Sequence, residues 1–108
     1  MKVNKFLALG FAAMLAYVIA GPDGDTAVSE VASPALATAG SGDVLSGAIG
    51  ALLAAGCEPR TAAMLGVALH GAAGLIAEQR IGRSGTMARD IANLLPEAAE
   101  SIRSDRDR

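Results

Sequence analysis

Residues 37–56 read ATAGSGDVLSGAIGALLAAG and join a glycine-rich turn to an apolar helical pattern without a break. Apolar side chains recur after the turn at helical spacing, and Gly56 is the residue type that commonly ends a helix. Backbone N–H groups are unpaired at a helix N-terminus, where the helix dipole also places about half a positive charge. Gly40, Ser41 and Gly42 are therefore predicted to form a cradle for an anion such as phosphate.

Asp43 stands at the mouth of this predicted cradle. A carboxylate in this place can accept a proton from a hydroxyl held next to the phosphate, which is the general-base role in phosphoryl transfer. Serine and aspartate are also preferred at helix N-termini, so Ser41 or Asp43 could instead do no more than cap the helix. The four residues from Gly40 to Asp43 leave both interpretations open.

The chain before the turn predicts a β-hairpin. Residues 17–20 and 26–28 favour strands, and the GPDG sequence at residues 21–24 favours a tight turn between them. Two antiparallel strands are therefore expected just upstream of the glycine-rich turn.

The chain from the turn onward predicts three helices. Residues 44–57 and 61–77 contain no formal charge, which is typical of two buried helices, and Pro59 suits the first position of the second one. A short third helix is expected to end before Pro96.

Composition limits the classes of function. The 108 residues carry nine Lys and Arg against eleven Asp and Glu, with no basic cluster interleaved with aromatic residues. We therefore do not expect the chain to bind nucleic acid through a basic surface. Cys57 is the one cysteine, so the chain forms no internal disulfide and no multi-thiolate metal site. This length holds one small domain at most.

The N-terminal segment has a different character. Residues 6–20 are uncharged and follow Lys2 and Lys5, and Ala20 ends a string with the small-x-small form of a cleavage site. These fifteen residues fall short of the roughly 20 that span a bilayer. The segment could be an export signal, or it could be a buried element of a soluble domain.

Several strings in the chain closely resemble the C-terminal third of the NAD(P)H-hydrate dehydratases, a branch of the ribokinase-like family. They are GDVLSG at residues 42–47, LHG at 69–71, LLPE at 94–97 and VIAGPDG at 18–24. Asp43 favours the dehydratases, because related vitamin-precursor kinases typically carry cysteine there. The resemblance covers about residues 17–103.

The resemblance implies a lyase that uses ADP or ATP, with Mg²⁺, to phosphorylate the hydroxyl of hydrated NADH or NADPH and then eliminates phosphate. By position, Gly42 would contact the nucleotide, while Gly40 and Ser41 would help to form the anion hole. Asp43 would contact the hydrate and act as the base. His70 matches a histidine on the second helix, and we expect it to be a neutral core residue bonded to a backbone carbonyl. We expect no metal site built from protein residues.

Family members are more than twice as long as this chain. The resemblance therefore implies an α/β fragment of a ribokinase-like fold with a β-hairpin, a glycine-rich anion turn, two buried helices and a short third helix. Residues 17–103 would be a partial dehydratase domain. Residues 1–16 are an unmatched apolar segment, either signal-like or a remnant, and residues 104–108 are a polar tail.

Such a fragment is expected to be cytoplasmic, to bind neither nucleic acid nor a membrane, and to be inactive alone. Its apolar faces are expected to self-associate or to pair with a chain that supplies the missing part of the fold. A non-catalytic interaction fragment and a small exported helical protein are the alternatives.

Overall fold

The computed structural model describes residues 17–29 and 33–108. Two strands and three α-helices follow in chain order: β1 (Tyr17–Ala20), β2 (Thr26–Ser29), α1 (Ser41–Ala54), α2 (Pro59–Arg80) and α3 (Ala88–Arg106). A 3-10 helix, Pro34–Leu36, lies between β2 and α1. The described residues thus combine a small sheet with helices, as predicted for an α/β fragment. The predicted signal-like or remnant segment, residues 1–16, lies outside them.

The β-hairpin forms as predicted. β1 and β2 are antiparallel, with Tyr17 opposite Ser29 and Ala20 opposite Thr26. The turn between them is closed by the Gly21 N–H, which donates to the Asp25 carbonyl at 2.7 Å. Because side chains alternate between the two faces of a strand, Tyr17 is half-buried on the face towards α2.

Helix α2 is the centre of the fold and begins at Pro59, as predicted. α1, α3, β1 and the 3-10 helix all contact it. α2 lies so close to α1 at Gly66 that a β-carbon there would overlap Cγ1 of Ile49. By length and composition α2 would also suit a membrane span, but core helices of soluble proteins pass the same test. The packing of α2 against its neighbours favours the core interpretation.

The buried core is small and consists largely of alanine. Its members are Ala35, Leu36, Ala73, Ala77, Ile91 and Ala98. Short side chains let the helices approach closely but bury little apolar surface per residue. The core lies between α2, α3 and the 3-10 helix, and α1 contributes no fully buried apolar residue to it.

The prediction of two buried helices is correct for α2 and wrong for α1. Eight residues of α2 are buried, whereas Ser41 is the one buried residue of α1. Leu53, on the last turn of α1, is 44% exposed. The reason is that α2 covers one side of α1, and the rest of the described chain places little against the other side.

The prediction of a short third helix is also wrong. α3 has 19 residues, contains Pro96 in its interior and extends into the predicted polar tail. Pro96 removes one backbone hydrogen bond, but Ile91 and Ala98 on either side of it are fully buried. An ion pair between Arg80 and Glu97 also joins α2 to α3 at this level. α3 therefore continues past the proline because it packs against α2.

Candidate functional site

The glycine-rich turn is built around a left-handed residue. Gly40 has a φ of 88° and is the N-cap of α1, and the Ser41 N–H closes the turn on the Thr38 carbonyl at 3.2 Å. A β-carbon at Gly40 would lie 3.1 Å from Cβ of Ala88, the first residue of α3. Both the conformation and the close approach require glycine here.

Two of the three predicted backbone donors are free. The N–H groups of Gly40 and Gly42 have no hydrogen-bond acceptor within residues 17–29 and 33–108, whereas the Ser41 N–H is used by the turn. Apart from the adjoining residues and the backbone of α1 itself, no heavy atom of the described chain lies within 4 Å of the place where a β-carbon on Gly42 would stand. A ligand atom can therefore approach the backbone at Gly42 from the open side.

Asp43 is the third residue of α1, and its side chain is exposed. Its carboxylate makes no hydrogen bond or ion pair to any residue that the structure describes. The N-cap of α1 is Gly40, and no side chain caps this helix. Neither Ser41 nor Asp43 therefore acts as the predicted cap, and the Asp43 carboxylate is available beside the unpaired N–H groups.

His70 supports the turn from the core side. The His70 side chain is 3% exposed, and its Nε2 lies 2.9 Å from both the carbonyl oxygen and the hydroxyl oxygen of Ser41. Its Nδ1 lies 2.5 Å from the hydroxyl oxygen of Tyr17 on β1. The prediction of a core histidine bonded to a backbone carbonyl is confirmed.

The geometry assigns the tautomer of His70. A carbonyl oxygen can only accept, so Nε2 carries the proton, and Nδ1 accepts from the Tyr17 hydroxyl. Burial lowers the pKa of His70, and the bond to the Ser41 carbonyl only partly opposes this shift. Burial also raises the pKa of Tyr17 to about 12. The Tyr17–His70–Ser41 chain is therefore uncharged near neutral pH.

Sequence reasoning missed the contact between Tyr17 and His70. These residues are 53 positions apart and belong to a strand and a helix that meet only in the folded chain. The one signal in the sequence was the alternation of side chains along β1, which places Tyr17 and Ile19 on the same face of the strand.

An open cavity of about 450 Å³ lies beside the glycine-rich turn. Its lining residues are Pro34, Ala37, Thr38, Arg83, Ser84 and Thr86. Arg83 donates from Nε to the Glu78 carboxylate at 2.8 Å, and its side chain is 71% exposed. A cationic group therefore lies at the edge of the turn, where it could compete with the backbone donors for an anion.

The hairpin, the glycine-rich turn and the helices together form part of a carbohydrate-kinase-family domain of α/β character. Residues 14–97 match the family described as NAD(P)H-hydrate dehydratase. The chain belongs to the NAD(P)H-hydrate dehydratase family.

Curated relatives agree with this assignment. The chain is 43% identical over 88 residues to the bifunctional NAD(P)H-hydrate repair enzyme Nnr of Moorella thermoacetica. This match covers 82% of the chain and 17% of the relative. It is 45% identical over 78 residues to the ADP-dependent (S)-NAD(P)H-hydrate dehydratase of Xanthomonas campestris, and this match covers 72% of the chain and 27% of the relative. The enzyme of the same name from Neisseria meningitidis is 46% identical over 76 residues, covering 69% and 26%.

The chain thus spans between 17% and 27% of the length of these relatives. No solved structure matches the chain.

Proposed function

We propose that this chain provides the phosphate-holding turn of an ADP-dependent (S)-NAD(P)H-hydrate dehydratase. Gly40 and Gly42 bind the phosphate of the nucleotide, and Asp43 is the base that acts on the hydrated dinucleotide. The names of two relatives favour ADP over ATP as the phosphate donor.

One observation carries this proposal. The first turn of α1 presents the unpaired N–H groups of Gly40 and Gly42 next to the exposed carboxylate of Asp43. Unpaired N–H groups at a helix N-terminus attract an anion, while a free carboxylate can accept a proton. A phosphate donor and a hydroxyl acceptor could therefore meet over this turn.

The chemistry has two steps. Asp43 accepts the proton of the hydrate's hydroxyl as its oxygen attacks the terminal phosphorus of ADP, and AMP leaves. Elimination then breaks the carbon–oxygen bond of the new phosphate ester and a C–H bond on the neighbouring carbon. Inorganic phosphate leaves, the proton passes to solvent, and the carbon–carbon double bond of the dinucleotide is restored. The N–H groups of Gly40 and Gly42 stabilise the negative charge on the transferring phosphate.

The Mg²⁺ that the resemblance implies would be held by few carboxylates, together with oxygens of the nucleotide phosphates. No group of three or more His, Cys, Asp or Glu side chains comes together in the described part of the chain. Asp43 is the one carboxylate on the first turn of α1.

The exposed apolar surface supports a partner for this chain. Val18 and Val28 on the hairpin are 68% and 64% exposed, and Leu53 on α1 is 44% exposed. Large exposed apolar side chains on several elements are typical of a surface that another polypeptide covers. We infer that these side chains are covered by a second copy of this chain or by a chain that supplies more of the fold. The same exposed surface would suit a non-catalytic interaction fragment.

The packing of β1 favours a cytoplasmic protein over an exported one. Cleavage after Ala20 would remove β1 and with it the Tyr17 hydroxyl, which donates a hydrogen bond to His70. An intact-mass measurement of the expressed protein tests this directly.

The experiment that tests the proposal is a titration of the chain with ADP, followed by amide NMR shifts. Changes centred on Gly40 and Gly42 are expected, and they should persist in Arg83→Gln, because the arginine is not part of the proposed site. Changes centred on Arg83 that vanish in Arg83→Gln would assign anion binding to the cavity and overturn the proposed site.

A further inference from the structure

One side of α2 is exposed along most of the helix. Its residues follow one another at spacings of four and three, as in a coiled-coil heptad, so they form a single line. They are Thr61, Leu65, Ala68, Ala72, Leu75 and Gln79, which we call the α2 seam. All of them except Ala72 are exposed, and the two leucines are 39% and 43% exposed. The seam carries no charge.

The open edge of β2 lies beside the α2 seam. An open groove of about 430 Å³ lies between them, and its lining includes Ala27, Val28, Ala68, Ala72 and Leu75. The Gly21 N–H bonds to the Asp25 carbonyl across the hairpin turn. By the alternation of an antiparallel ladder, the N–H and C=O groups of Thr26 and Val28 therefore point away from β1. Such a strand edge can pair with another strand.

The α2 seam is the same in both directions by residue class. It runs polar, leucine, alanine, alanine, leucine, polar, with matching spacings on either side of its centre. Against an antiparallel copy of α2, Leu65 therefore meets Leu75, and Ala68 meets Ala72. The small residues at the centre let the two helices approach closely, while the leucines pack at the ends. Self-complementarity of this kind is what a two-fold interface between identical chains requires.

Charges beside the seam fit the same arrangement. Arg60 and Glu78 are 18 residues apart, which is five full helical turns, so they lie on the same side of the seam. Antiparallel packing about the seam centre brings Arg60 of each copy to about 3 Å, along the helix axis, from the level of Glu78 of the other copy. Opposite charges thus meet at both ends of the pair.

We propose that α2 pairs antiparallel with α2 of a second copy through the α2 seam, with the open edges of the two β2 strands meeting beside it. A two-fold axis between the helices keeps both hairpins on one side of the pair, so Thr26 and Val28 of the two copies face each other. The inference names a second copy as the cover for exposed apolar surface. It does not rest on the phosphate site.

Sedimentation equilibrium tests the occupant. The wild-type chain is expected to dimerise, and Ala68→Glu is expected to weaken the dimer about tenfold or more, because it buries a carboxylate where two helices approach. Ala92→Glu, at an exposed alanine on α3, is the matched control and should leave the dimer unchanged. A wild-type chain that stays monomeric would overturn the proposal and leave the seam to a chain that supplies more of the fold.

A charge exchange tests the antiparallel register. Leu65→Glu and Leu75→Lys should each weaken the dimer, because each places a charge against a leucine. The double variant should dimerise more tightly than either single variant, since the new carboxylate of one copy then faces the new ammonium of the other. Within one chain these positions are about 15 Å apart along the helix, so the rescue requires two copies. A double variant weaker than both single variants would overturn the proposal.

The dimer and the phosphate site can be tested separately. The α2 seam lies on the side of α2 opposite His70, which supports the glycine-rich turn. Because the substituted positions are exposed, circular dichroism should show unchanged helix content in every variant. ADP-induced shifts at Gly40 and Gly42 therefore report on the proposed function alone, and their absence would leave the dimer in place.

Discussion

The backbone of Gly40 touches the start of α3, where a β-carbon on Gly40 would lie 3.1 Å from Cβ of Ala88. The glycine-rich turn is therefore fixed from two sides, by Ala88 on α3 and by His70 on α2. Gly42, two residues along, has open space around it. Two glycines of one motif thus meet opposite constraints, and substitutions at them should separate folding from binding.

Gly40→Ala should destabilise the fold, and Gly42→Ala should not. The left-handed φ of 88° at Gly40 costs a residue with a β-carbon about 1–2 kcal/mol, before the contact with Ala88 is counted. Gly42 lies in the first turn of α1, where alanine is preferred by about 0.5–1 kcal/mol. Urea unfolding measures both effects.

Binding should follow a different order. The methyl group of Gly42→Ala would stand where a ligand approaches the free N–H, so ADP affinity should fall while stability holds or rises. Unchanged ADP affinity in a stable Gly42→Ala protein would show that the phosphate does not approach this backbone.

Asp43→Asn should separate chemistry from binding. In a full-length homologue that carries this segment, we expect turnover of hydrated NADPH to fall by roughly two to four orders of magnitude, the scale of a lost general base. Nucleotide affinity should change much less, because the Asp43 side chain bonds to nothing in the described turn.

Measurements of single turnover and of ADP binding on the same variant separate the two effects. If ADP binding is lost and turnover of the bound complex is intact, Asp43 serves the nucleotide site and the proposed mechanism has no base.

Stability should fall below about pH 6.5 because of His70. Burial lowers the pKa of His70 in the folded chain below its ordinary 6.5, so the unfolded chain takes up the proton first as the pH falls. The stabilisation is complete above the unfolded pKa and is lost as the pH drops towards the folded one. His70→Gln should remove this part of the pH dependence.

Tyr17 should act in the opposite direction at alkaline pH. Its pKa is raised from 10.0 to about 12, so the unfolded chain releases the proton first and folding weakens as the pH rises from 10 towards 12. Tyr17→Phe lacks the ionisable hydroxyl and is the variant to compare with wild type over this alkaline range. Unfolding curves of the wild-type chain and the two variants across pH 4–12 check both signs.

Local patterns were enough to predict the hairpin, the helix that begins at Pro59 and the position of the glycine-rich turn. Short-range chemistry sets each of these: turn residues for the hairpin, a fixed φ at the proline, and left-handed backbone at Gly40. The same patterns failed at Pro96, because α3 continues past it through burial of Ile91 and Ala98 against α2. Local propensity cannot report such long-range packing.

The candidate site divides in the same way. The sequence placed Gly40, Gly42 and Asp43 together because they are neighbours in the chain. It did not place Tyr17 and Ser41 on the two nitrogens of His70, because these contacts span 53 and 29 positions. The unpaired backbone donors of the turn were thus predictable, and the side chains that hold the turn in place were not.

The isolated chain should not behave as a compact monomer. Among the described residues the largest fully buried side chain is Ile91, while Val18, Val28 and Met87 are each more than 60% exposed. An alanine-rich core of this kind buries too little apolar surface to offset chain entropy with a wide margin, and the exposed side chains gain by association. We expect folded chains that self-associate through these side chains and bind a hydrophobic dye.

Sedimentation velocity and dye binding measure this directly. The double variant Val28→Thr and Leu53→Gln should reduce association, because both side chains are exposed in the fold and threonine keeps strand propensity. Asn93→Gln, at an exposed polar position on α3, serves as the matched control and should change nothing. A monodisperse wild-type monomer with one cooperative thermal transition would contradict the expectation, since the small core would then be sufficient by itself.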